Sequence, residues 1–123
     1  MRRFTIATFF LFCSAAAYAH APTAIVVTDD QSGGVYLQVM HPVSDSRDHF
    51  VKRVEIVVGD EAAVTESFTF QTTPGYQRVT LDGVALPKKK TEKPIVITIT
   101  AYCNKGGDVT QEFTPQELKL DTK

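Results

Sequence analysis

His41 and His49 bracket the run MHPVSDSRDHF, Met40 to Phe50, and Cys103 closes a second run, AYCNKGGD. Imidazole nitrogen and thiolate sulfur are the donors that transition metals prefer, so two imidazoles at the ends of one loop raise the question of a metal. The chain holds only three histidines, and the third, His20, opens the segment His-Ala-Pro. A free cysteine also packs well as a small hydrophobe, which leaves an inert core thiol as the alternative for Cys103.

The elements that must position these groups read as strands. Seven β-branched or aromatic runs follow one another: residues 23–28, 34–40, 51–59, 64–71, 77–81, 94–102 and 108–113. The breaks DDQSGG, GDE, TTPGY, LDG and NKGGD are rich in turn formers, and no helical stripe of any length interrupts the series. Seven short strands predict an all-β, single-domain sandwich. In PIVITITAYC the period of two puts Ile95, Ile97, Ile99, Ala101 and Cys103 on one face, so Cys103 ends a core-facing row. His41 ends the run 34–40, and His49 precedes the run that begins at Val51. Pro42 fixes its φ and has no N–H to donate, which ends the ladder beside His41. The tail TPQELKLDTK reads as a helical turn or an edge strand.

The N-terminus has a different grammar. Arg2 and Arg3, an apolar run from Phe4 to Phe12, and Ala17-Tyr18-Ala19 form a secretory signal peptide, residues 1–19, with residues 20–123 as the exported domain. The apolar run falls short of the roughly 20 residues a bilayer span needs, so the expected location is periplasmic or secreted with no membrane span after cleavage. Cleavage removes Cys13 and leaves Cys103 without a partner for an internal disulfide. It also lowers Lys plus Arg from 13 to 11 against 14 acids, a formal charge of −3, which argues against nucleic acid as a partner. The run KKKTEK, Lys88 to Lys93, reads as a solvated loop between Pro87 and Pro94.

Taken together, HPVSDSRDHFVKRVEI, ITAYCNKGG and His20-Ala21-Pro22 resemble the ligand segments of the superoxide reductase iron domain, the neelaredoxin and desulfoferrodoxin group. The resemblance spans His20 to about Phe113. It implies an immunoglobulin-like β-sandwich and a mononuclear non-haem iron site, cycling between Fe(II) and Fe(III), with an open position for superoxide. Carried over residue by residue, it makes His20, His41 and His49 equatorial ligands and Cys103 the axial one. Superoxide would take one electron and two protons and leave as hydrogen peroxide, with the electron coming from an unidentified donor. A thiolate opposite the open position pushes electron density toward bound oxygen species. Lys105, two residues after the cysteine, would attract the anion or position a proton-bearing water. One departure matters: the family's fourth histidine, three residues after the cysteine, is Gly106 here.

Two other readings stand beside this one. Cleavage after Ala19 makes His20 the first residue, and its α-amino group and ring could chelate copper, with His41 or His49 completing a nitrogen-rich site. Cleavage after Ala21 would remove His20 altogether. The His-Pro to His-Phe stretch also resembles a sulfur-oxidation scaffold subunit with the same sandwich, which would make this a binding module without metal. There is no phosphate-cradling glycine loop, C-x-x-C pair or nucleophile elbow. Ser44 or Ser46 beside Asp48 and His49 is a turn cluster rather than a triad.

Overall fold

Alternation of β-branched residues with polar ones, cut at each turn cluster, produces seven strands in the computed structural model, which describes residues 20–87 and 93–120. They are β1 (Ala24–Asp29), β2 (Val35–Met40), β3 (Val51–Val58), β4 (Val64–Ser67), β5 (Tyr76–Val79), β6 (Ile97–Cys103) and β7 (Asp108–Phe113). The expected signal peptide (residues 1–19), Cys13 within it, and most of the lysine run (88–92) lie outside the described residues. Two antiparallel sheets form, one in the order β1-β2-β5 and the other β4-β3-β6-β7. The seven-strand immunoglobulin arrangement puts the first, second, fifth and fourth strands in one sheet and the third, sixth and seventh in the other. This chain differs only in β4, which pairs with β3. Along one side β1 meets β7, where the Ile25 N–H donates to Gln111 Oε1 at 2.7 Å.

Between the sheets lie Ile25, Leu37 and Val39 from one and Val54, Ile56, Ile97, Ile99 and Ala101 from the other, all buried. The β6 row falls inward as its alternation predicts, and Cys103 ends it at 2% exposure. Tyr36 and Tyr102 lie under Arg78 and Arg53, each guanidinium 3.9 Å from the ring centre, as sheet-packing aromatics.

Two elements fall short of their runs by two residues or more. The fourth run reaches Gln71 in sequence, but the ladder stops at Ser67 and the chain turns, with the Gln71 N–H donating to Ser46 O. The sixth begins at Ile97 rather than Pro94, because Pro94 has no N–H for a ladder. The tail forms one turn. Thr114 and Glu117 cap each other, backbone to side chain in both directions (2.7 and 3.2 Å), which tucks Leu118 into the core.

Register carries four residues to one end of the sandwich. Ala24 pairs with Met40, so the segment from His20 enters β1 beside the end of β2, where His41 follows. Val51 pairs with Cys103, which brings the loop before β3 to the end of β6. A bulge between Val51 and Arg53 sets the facing there. Counting back by twos from buried Ile56 and Val54 would turn Lys52 inward, whereas the extra residue leaves Lys52 exposed and Val51 buried. His49, two residues before Val51, thereby falls in the inward row.

Candidate metal centre

His41 continues the inward row Leu37, Val39 past the end of β2 and is completely buried. Its Nδ1 lies 2.8 Å from Oε1 of Gln71, itself 1% exposed. The orientation of that amide is fixed by its other partners. Gln71 Nε2 donates to the carbonyls of His41 (2.8 Å) and Thr73 (2.9 Å), while Oε1 accepts the Val51 N–H at 3.2 Å. Carbonyls cannot donate and an amide N–H cannot accept, so Oε1 must face His41, and His41 Nδ1 must carry the proton. The lone pair of His41 is therefore on Nε2. Among the described residues, Nε2 is the one buried side-chain nitrogen or oxygen without a hydrogen-bond partner. A buried polar atom left in this way costs free energy unless something binds it.

The His41 ring packs against two more imidazoles. The ring centres of His20, His41 and His49 lie 4.8 to 5.0 Å apart, with His20 and His41 nearly parallel and His49 edge-on to both. Each ring offers one nitrogen to a group whose members all lie within 4.8 Å of one another. Two nitrogens opposite each other across one ion would be about 4.2 Å apart, given metal–nitrogen bonds near 2.1 Å. At its widest the cluster exceeds that by about half an ångström, so the rings would draw in slightly to share one ion.

Cys103 joins through His49 alone, its Sγ 3.1 Å from His49 Nε2. With bonds of about 2.1 Å to nitrogen and 2.3 Å to sulfur, ligands at right angles sit about 3.1 Å apart, and tetrahedral ones about 3.6 Å. The observed spacing is that of a thiol–imidazole hydrogen bond, and it leaves the two donors close enough to share one ion. Asn104 keeps the two side chains together. Its Oδ1 accepts the Phe50 N–H (2.9 Å), its Nδ2 donates to Asp48 O (2.9 Å), and its N–H donates to Phe50 O (3.0 Å). The Lys105 N–H donates to Cys103 Sγ at 3.3 Å, and the Lys105 ammonium pairs with Asp48 on the exposed rim at 3.1 Å. Gly106 has φ +113° and open space beside it.

All four residues proposed as ligands come to one end of the sandwich, with Lys105 at its edge. Gln71 and Asn104, which between them hold His41, His49 and Cys103, have no role that sequence alone assigns. Asn104 was at least visible as part of AYCN. Gln71 was not, because it is 30 residues from His41 inside a run that reads as strand.

Electrostatics favour the neutral ligand form of His41 and His49. Burial pushes His41 below the ordinary 6.5, with the charge of His20 acting the same way, against the opposing effects of its bond to Gln71 and of the His20 backbone close by. Burial lowers His49 too, followed by the nearby charges of His41, His20 and Lys105. In the metal-free protein, then, the unfolded chain binds protons more readily than the folded one. Stability is complete above 6.5 and falls as pH drops through that value toward the folded-state values. The urea midpoint of metal-free protein should fall from pH 8 to about pH 5.5, and the fall should vanish in the double variant His41→Leu, His49→Leu. An identical slope in that variant would place the titrating groups elsewhere.

Fold and site together define an immunoglobulin-like β-sandwich with a three-imidazole cluster at one end and a thiol beside it. Compared with protein-family models, curated proteins and solved structures, the chain matches none.

Proposed function

We propose that this exported domain holds one redox-active ion, iron in the first instance, among His20, His41, His49 and Cys103, and reduces superoxide to hydrogen peroxide. The observation that carries the reading is the buried, unpartnered Nε2 of His41, on a ring that packs against two further imidazoles. A ring placed there only for packing would leave its lone pair unmet at a cost that leucine avoids. A soft thiolate beside imidazole nitrogens is a donor set that suits iron or copper.

The residues divide the work. His41, locked by Gln71, supplies the buried ligand, and His20 and His49 complete the nitrogen side. Cys103 brings the soft, electron-rich donor. The ion would supply the one-electron step by which superoxide, with two protons, becomes hydrogen peroxide, and an external donor must return the electron. Lys105, half exposed on the rim, draws the anion toward the site, its charge partly offset by Asp48.

The test is metal content and absorption of protein exported under its own leader. Stoichiometric iron is expected, with a thiolate-to-iron charge-transfer band that Cys103→Ser abolishes and a rate of superoxide consumption that falls with it. Protein that takes up neither iron nor copper would overturn the reading and return the sandwich to a scaffold role.

A further inference from the structure

Three imidazoles are fewer than the resemblance implies, and no fourth exists in the chain. Gly106 cannot stand in, and a side chain there would meet a backbone conformation that favours glycine. A missing nitrogen has to come from somewhere other than a ring.

His20 offers one. Its Nε2 lies 2.9 Å from the carbonyl oxygen of Pro42. A carbonyl only accepts, so Nε2 carries the proton and the lone pair of a neutral His20 ring is on Nδ1. Nδ1 is also the ring nitrogen that can bind an ion together with the residue's own α-nitrogen, closing a six-membered chelate that Nε2 cannot reach. Within an intact chain that α-nitrogen is an amide without a basic lone pair. We infer that cleavage after Ala19 turns it into an amine and makes the mature N-terminus the fourth nitrogen donor of the site, chelating with Nδ1 of the same residue. The step is hydrolysis: water splits the Ala19–His20 amide on a signal-processing peptidase, leaving a carboxylate on Ala19 and the amine on His20.

The chain near His20 is held rather than trailing. Thr23 donates both its N–H (2.8 Å) and its hydroxyl (3.2 Å) to Met40 O, and Pro22 is buried. Ala21 presses on Gly107 so closely that a Cβ at Gly107 would come within 3.0 Å of the Ala21 Cβ and 3.1 Å of its Cα. Gly107, at φ +90°, therefore admits the N-terminal segment against the loop that follows Cys103. An amine released at His20 is delivered to the cluster by the same contacts that place the ring.

This inference rests on the metal reading above and on export, and its test separates their failures. Two metal-free proteins are compared, one beginning at His20 and one retaining Ala17-Tyr18-Ala19 ahead of it. Each is titrated with Co(II), whose thiolate charge-transfer and d–d bands report sulfur ligation and coordination number. The mass of protein exported under its own leader is measured alongside. The expected result is a mature mass beginning at His20, equal urea midpoints without metal, and Co(II) affinity lower in the extended protein by roughly 100-fold, with a changed d–d spectrum. Equal affinities with a band that Cys103→Ser removes would overturn the amine and leave the metal site standing. A mature chain that starts elsewhere would also overturn it. Failure of both proteins to bind would overturn this inference and the metal reading together.

Discussion

His41→Leu should abolish metal retention while leaving the metal-free protein about as stable as before. The ring it replaces is completely buried, its Nε2 has no partner, and its Nδ1 makes one bond to Gln71 Oε1, which keeps the Val51 N–H after the change. Leucine exchanges an unmet polar atom for apolar contact of similar volume, so the metal-free unfolding free energy should stay within about 1 kcal/mol of wild type. His41→Ala removes the same ligand but opens a cavity at the end of the Leu37–Val39 row, and it should cost about 2–4 kcal/mol. Urea unfolding of all three proteins, with and without iron, distinguishes the two contributions. Wild type should gain roughly 2.7 kcal/mol at metal concentrations a hundredfold above its dissociation constant, and neither variant should gain anything. If His41→Leu still responds to metal, His41 is a core residue and the cluster is an accident of packing.

The sandwich could be read in the sequence because its strongest signals are local. Ile97, Ile99, Ala101 and Cys103 alternate with polar neighbours, and all four turned out buried. His41 and His49 lay at strand ends in sequence and in space, so that pairing of β1 with β2 and of β3 with β6 sufficed to collect them with His20 and Cys103. Signals that depend on a distant partner were silent. Nothing in VKRVEI marks the bulge after Val51, since no glycine is needed for it, yet without the extra residue His49 would fall on the other face. The length of the fourth strand was misjudged for a related reason. Phe68 to Gln71 have strand-like residues, but the chain leaves the ladder there so that Gln71 can meet His41, and that demand is tertiary.

Gln71 is therefore the residue through which the ligand set is most open to attack from outside it. Gln71→Leu should orphan the Nδ1–H of His41, the Val51 N–H and the carbonyls that its amide now satisfies. Each buried group left unpaired costs about 1–3 kcal/mol, and several at once should lower the unfolding free energy by 3 kcal/mol or more, on the order of half the stability of a small domain. Metal affinity should fall about 10–100-fold, because an imidazole without its outer hydrogen bond can turn its proton toward the ion. Stability loss alone does not show positioning, so Gln71→Glu is the informative companion. A carboxylate can still accept from Nδ1–H and Val51 N–H, but it cannot donate to the His41 and Thr73 carbonyls. That variant should remain destabilised yet recover most of the metal affinity, since the ring proton stays on Nδ1. If glutamate and leucine weaken metal binding equally, Gln71 serves only the fold, and the tautomer of His41 is set by the ion itself.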